Sequence, residues 1–139
     1  MGDGLVVASN RGPVSWKAVD DELVAKRGFG GLVTALGGAL QSEPGTWVSV
    51  ALSETDRRVA AAHPQAPFDV DADGSHLRLR LLDVGSRFDA YYNEVANRLL
   101  WFTLHELWAS PVEPTAVGWP VQWDEGYLPV NTAVASAVA

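Results

Sequence analysis

An α/β fold built on a parallel sheet is the class that this sequence predicts, and three observations predict it. Strand patterns stand near 4–9, 46–52 and 76–83, the first two short apolar runs and the third an alternation of leucine with polar residues, and parallel strands are expected there. Stretches with helical spacing separate them, and strands alternating with helices favour a parallel sheet covered on both faces. At 139 residues, 47% hydrophobic and 19% charged, the chain suits one domain with a real core.

The first strand is Leu5–Ala8, within "VVASNRGPVSW" (6–16). It runs straight into Ser9, Asn10 and Arg11, and Gly12–Pro13 stops it. In open α/β sheets ligands sit outside the carboxyl ends of the strands, so Arg11 stands where an anion could be met. The plainer alternative is a surface arginine at a strand end. "VSWKAVDDELVAKRG" then reads as a hairpin turning at Asp20–Asp21 and standing off the sheet. In "GFGGLVTALGGALQS" glycines open a helix on which Leu32, Ala35, Leu36 and Ala39 share one face.

"TWVSVAL" (46–52) is the second buried strand, and "SETDRRVAAA" (53–62) has the serine cap and acidic first turn of a helix start. Pro64 and Pro67 end that helix. "DVDADG" (69–74) lacks the twelfth-position glutamate of a calcium loop and reads as a turn. "HLRLRLLDV" (76–84) alternates leucine with His76, Arg78 and Arg80, a strand with one wetter face. The chain is then helical through "RFDAYYNEVANRLLWFTLHELW", passes a loop with Pro111, Pro114, Gly118 and Pro120, and ends in "VNTAVASAVA". That last helical pattern stops without a terminating signal, so the chain is expected to be cut short.

Composition excludes several classes. The net charge of −7, from 10 basic and 17 acidic residues without a basic block, argues against nucleic acid or an anionic membrane as partner. Cysteine is absent, which removes disulfides and thiolate metal sites and fits a cytoplasmic setting. The N-terminus lacks a signal-peptide pattern, and no apolar run approaches the roughly 20 residues of a membrane helix.

The glycine cluster Gly28, Gly30 and Gly31 precedes a helix, where backbone N–H groups and a partial positive charge suit a phosphate. A structural turn is the alternative. It is neither a Walker loop nor a dinucleotide fingerprint. Aromatic Tyr92 and Trp101, nine residues apart, need not share a face of a regular helix, and either is free to line a sugar cleft. His105–Glu106 is only half of a metal motif, with no second histidine at helical spacing, so no metal is expected. No nucleophile elbow and no Ser/His/Asp triad can be assembled.

In series, "VVASNRGPVS", "GFGGLVTAL", "TWV", "YYNEVANRLLW" with His105, and "WDEGYLPVN" (123–131) resemble the N-terminal part of trehalose-6-phosphate synthases. These are retaining nucleotide-sugar glycosyltransferases of glycosyltransferase family 20. The resemblance, over nearly all of the chain, implies a Rossmann-like N-terminal half-domain of a two-domain, GT-B type enzyme, truncated and carrying an inserted β-hairpin. It implies glucosyl transfer from a nucleotide-glucose to glucose 6-phosphate, without a cofactor. It further implies that Arg11 binds the acceptor phosphate, that Gly30 and Gly31 offer amides to the donor diphosphate, and that Tyr92, Trp101 and Trp47 line the acceptor pocket. No catalytic group is expected in this stretch, because the family's Asp–His strand and its second domain lie beyond it.

Three departures stand out. Ser49 and Val50 follow "TWV" where the family has Gly-Trp, Phe102 replaces a proline, and Pro129 falls where the family has a helix. The pattern "WVSVALSETDRR" is closer to relatives that accept other phosphorylated sugars or cyclitols. A cyclitol-phosphate (pseudo)glycosyltransferase and a non-catalytic sugar-phosphate-binding module are the alternatives. An uncovered sheet edge is expected to favour self-association.

Overall fold

The computed structural model describes residues 4–20, 22–42, 45–64, 66–107 and 119–139; Pro111, Pro114 and Gly118 of the expected loop lie outside them, whereas Pro120, expected in that loop, falls in the helical turn Trp119–Gln122, near whose start a proline's missing N–H costs no bond. Two compact units divide the chain, Met1–Asp83 with Ala137–Ala139, and Val84–Ser136.

The first unit is a mixed α/β sheet. Its order is β1 (Leu5–Ser9), β4 (Gly45–Val50), β6 (Ser75–Leu82), β5 (Phe68–Ala72). β1, β4 and β6 run parallel, with Val7 beside Trp47 and Trp47 beside Leu79. β4 is buried on both faces from Trp47 to Val50, as a central parallel strand should be. The expected parallel strands are therefore present.

The stretch at 69–74 differs from expectation. Residues 68–72 form a fourth strand antiparallel to β6, and only Asp73 and Gly74 turn, both left-handed at φ 47° and 77°. Two successive positive φ values make the tight hairpin turn that an Asp-Gly pair favours. On the wetter face, Asp69 pairs with Arg78 (3.1 Å) and Asp71 with His76 (2.9 Å), each directly across the strands. The hydrogen bond and charge of Asp71 raise the His76 pKa above the ordinary imidazole value. The interaction is thus complete below that ordinary value and is lost as pH rises through the raised one. An NMR titration should place the His76 midpoint above that of a free imidazole, and Asp71→Asn should return it; an unshifted wild-type midpoint would break the pair.

Strands β2 (Val14–Val19) and β3 (Glu22–Arg27) form the expected hairpin, with Val19 opposite Glu22. It is hydrogen-bonded apart from the main sheet but does not stand off it. Val14 and Trp16 join Trp47, Ala51, Ala60, Ala72, Leu77, Leu79 and Leu81 in one core. Trp16 and Phe68 rings lie 6.3 Å apart.

Helix α1 (Gly31–Ser42) packs Val33, Leu36 and Leu40 on that core, while Leu32 is half exposed. The apolar face is therefore shifted by about one residue from the expected Leu32–Ala35–Leu36–Ala39 stripe. Leu36 alone is common to both. Spacings of three and four select Val33 and Leu40 because their side chains are larger than alanine and cover more of the core.

Helix α2 (Glu54–Ala62) starts as expected. Ser53 Oγ accepts from the Asp56 N–H (3.0 Å), and Asp56 reaches back to the Ser53 N–H (2.9 Å), a reciprocal capping box. The same carboxylate accepts from the N–H of Leu52 (3.2 Å) and of Trp16 (3.4 Å), and Thr55 Oγ1 donates to the Trp16 carbonyl (2.7 Å). One buried aspartate thus starts the helix and ties it to the hairpin.

The second unit holds two long helices with wide middle sections. In α3 a short α-helical turn (Arg87–Asp89) leads into a π-helical stretch (Ala90–Leu100) and a final α turn (Trp101–Leu104). The Trp101 N–H bonds the carbonyl of Ala96, five residues back. In α4 the order is Trp119–Gln122, the π-helical Trp123–Tyr127, then Leu128–Val138. Pro129 falls one residue after the α turn resumes. A proline cannot donate and crowds the carbonyl four residues back, and the wide turn just before it relieves that crowding.

The two wide sections meet at Gly126. A Cβ there would lie 2.5 Å from Ala90 Cβ and 2.9 Å from the Tyr91 nitrogen, so only glycine permits this approach.

The end of α3 is closed by the N–H of Leu107 bonding Phe102 O (2.9 Å) and that of Glu106 bonding Thr103 O (3.2 Å). This is the αL helix stop in which glycine is usual, yet Glu106 occupies it at φ 57°. Glu106→Gly should raise stability by about 1 kcal/mol, the left-handed strain exceeding the entropy of the freer unfolded chain. A denaturation midpoint that falls instead would count against this helix end. No helix of the described residues is long and apolar enough to cross a membrane.

Candidate functional site

The loop after β1 is strapped down at four points. Trp47 Nε1–H donates to Ser9 Oγ (2.8 Å), and Ser9 Oγ–H donates in turn to the carbonyl of Arg11 (2.7 Å). The Val50 N–H donates to Asn10 O (3.2 Å), tying the loop to the end of β4. Gly12 lies against Ser49 so closely that a Cβ would sit 2.5 Å from Ser49 Oγ. Pro13 beyond it is fully buried. Out of this rigid loop the Arg11 side chain projects into solvent. Among the described residues its guanidinium makes no ion pair or hydrogen bond.

The glycine segment joins the same loop. The Gly28 N–H donates to Pro13 O (2.7 Å), which extends the β2–β3 ladder outward from the Val14–Arg27 pair. A Cβ at Gly28 would lie 3.7 Å from Gly12 O. The carbonyl of Gly30 accepts from the Thr34 N–H (2.9 Å) and so opens α1. Around Gly30 and Gly31 the space where a side chain would stand is empty to 4 Å. The first amides of a helix have no acceptor within it and carry partial positive charge. Because α1 returns the chain from β1 to the parallel β4, its start lies at the strands' carboxyl ends, the rim on which the Arg11 loop sits.

Trp47 requires a correction. It has no exposed surface and forms the centre of the core, so it cannot wall an open pocket. Its ring is held inward because β4 is buried on both faces. Its connection to the rim runs through Ser9.

Tyr92 and Trp101 belong to the second unit. Tyr92 is half-buried and stacks on Phe88 (5.3 Å between ring centres, 15° between planes). Trp101 is 44% exposed and stacks on His105 (4.1 Å, 22°), whose Nδ1–H donates to the Trp101 carbonyl (2.7 Å). Nine residues make about two and a half turns of a regular helix. With bonds to the fifth residue back they make about two, and Tyr92 and Trp101 come to the same side. The separation expected from a period of 3.6 therefore does not apply.

For Ser9 and Gly12 the sequence carries only the Gly-Pro stop as a signal, because the indole that organises them comes from another strand. Among the described residues no group of three or more His, Asp or Glu could hold a metal ion.

Sheet, rim and helix start define a class: an α/β unit whose parallel strands end at a fixed cationic loop beside a glycine-opened helix, compatible with a Rossmann-like half. No family model matches the chain. Curated proteins do. It is 31% identical to the trehalose-6-phosphate synthase of Mycobacterium sp. (strain JLS) over 136 residues, 96% of this chain and 25% of that protein. The protein of that name from Mycolicibacterium vanbaalenii is 31% identical over 99% of this chain and 26% of its own length. That of Mycobacterium ulcerans (strain Agy99) is 32% identical over 96% and 25%. The chain is a homologue of the trehalose-6-phosphate synthases and spans about a quarter of the length of these relatives.

Proposed function

We propose that this chain is the acceptor-side, N-terminal part of a trehalose-6-phosphate-synthase-like glycosyltransferase of the GT-B type. In this reading Arg11 binds the phosphate of a glucose 6-phosphate-like acceptor. The amides of Gly30 and Gly31 meet the diphosphate of a nucleotide-glucose donor, and Tyr92 and Trp101 are the aromatic residues of the second unit offered to a sugar ring. The observation that carries it is the strapped loop, in which three hydrogen bonds hold the backbone that presents one unpaired guanidinium. A planar fork of donors suits a phosphate geometrically. Retaining transfer also needs charge stabilisation at the leaving diphosphate, toward which this reading assigns the amides at the start of α1. No turnover by the chain alone is expected.

Binding should be weak. Hydrogen bonds to a charged group are worth about 1.5–3 kcal/mol each, and they must offset several kcal/mol of lost ligand freedom. The remainder corresponds to dissociation constants on the order of millimolar or weaker. Titrating the chain with glucose 6-phosphate should shift the amide resonances near Arg11 and Tyr92 at high concentration, and Arg11→Ala should abolish the shifts. Micromolar affinity that survives Arg11→Ala would put the ligand elsewhere.

A further inference from the structure

The α-helical turn of α3 resumes at Trp101. Side chains four apart on such a turn lie one above the other, which sets His105 over the indole. The two rings stack at 4.1 Å and 22°, and the imidazole Nδ1–H donates to the Trp101 carbonyl (2.7 Å). A carbonyl only accepts, so this bond keeps a proton on Nδ1 and anchors the ring at that edge. The backbone beneath is held as well. The His105 N–H bonds the same carbonyl (3.1 Å), and the N–H groups of Glu106 and Leu107 close the helix directly after it.

His105 therefore lies flat on one side of the indole, while 44% of Trp101 stays exposed. Phe102 adds a perpendicular contact at 5.2 Å and 73°. His105 is itself exposed, so the stack encloses little of the fold's apolar surface. What it does is limit the indole's freedom. A tryptophan at an open helix end ordinarily changes rotamer, and a ligand that stacks on it has to stop that motion. Here an anchored imidazole has already stopped it.

We propose that His105 is a positioning residue for Trp101, holding the indole in the one orientation in which its exposed surface receives the C–H face of a sugar ring; this rests on the Trp101 reading above. The histidine acts through the indole and needs no contact with the sugar. From the sequence it reads as half of a metal motif; in the structure its Nδ1 is engaged with the carbonyl one turn back.

The test is an NMR titration of the 139-residue chain and its Trp101→Ala, His105→Ala and His105→Phe variants with glucose 6-phosphate and with inorganic phosphate. His105→Ala should shift the Trp101 indole N–H resonance and weaken glucose 6-phosphate roughly 2- to 10-fold, the cost of ordering one such side chain, while changing inorganic phosphate less than about twofold. His105→Phe, which restores a flat ring without the bond to the carbonyl, should recover most of that loss. If Trp101→Ala weakens glucose 6-phosphate and His105→Ala does not, the His105 proposal alone falls. If Trp101→Ala leaves glucose 6-phosphate unchanged, the Trp101 reading fails and takes this one with it. A loss in His105→Ala that His105→Phe does not relieve would make the imidazole a direct ligand contact and overturn the positioning role. An equal loss for both ligands would overturn it too, since bare phosphate has no ring to stack.

Discussion

Trp47→Ala is expected to destabilise the first unit by about 3–5 kcal/mol, the range for truncating a large buried aromatic. The indole has no exposed surface and packs among Leu79, Val7 and the hairpin's Trp16 in one core. The substitution also removes the donor to Ser9 Oγ, the first link in the chain that fixes the Arg11 carbonyl. Trp47→Phe separates the two roles. It keeps most of the volume and should cost less in stability, yet amide exchange at Asn10 and Gly12 should still quicken. Urea unfolding and hydrogen exchange read both effects. A loss below about 1 kcal/mol for Trp47→Ala would contradict its placement at the centre of the core.

Asp56→Ala should be the next most damaging change, at about 2–3 kcal/mol. A capping residue contributes about 1 kcal/mol, and bonds from backbone N–H to an ionised group contribute more than neutral ones. Here one carboxylate serves Ser53, Leu52 and Trp16, so its removal leaves three backbone donors to be satisfied otherwise. Ser53→Ala, which removes only the opposite half of the capping box, should cost about 1 kcal/mol. Equal losses for the two variants in a thermal melt would mean that the tie from Asp56 to the hairpin contributes nothing.

The parallel strands were legible because β1 and β4 are apolar runs with clear boundaries and β6 alternates leucine with polar residues, and α2 because its cap is written in Ser53 and Asp56. β5 was obscured by Asp69 and Asp71. These residues suit a strand only because Arg78 and His76 stand opposite them, a relation between two segments that neither shows alone. The Asp73–Gly74 pair was the local signal for that hairpin. The phase of α1 depended on which residues the sheet could receive, and its stripe of small and large apolar residues left that open. The widening of α3 and α4 has no compositional signature, so the side shared by Tyr92 and Trp101 was hidden. At the rim, Arg11 and the glycines were visible as residue types. The hydrogen bonds that hold them come from Trp47, Val50 and Pro13, and only folding assembles those.

The order of the sheet also gives it a direction of growth. At one side β5 carries Asp69 and Asp71, bonded across to β6, and β3 lies against it, so another strand would have to displace charges already engaged. At the other side β1 reads Leu-Val-Val-Ala-Ser, without a charge or a proline, and Leu5 and Val6 are 39% and 43% exposed. Strand addition is therefore directed to β1. A strand joining there in parallel would finish beside Ser9, with its own carboxyl end against the loop that carries Arg11. Whatever polypeptide extends this sheet would thereby add its residues to the same rim.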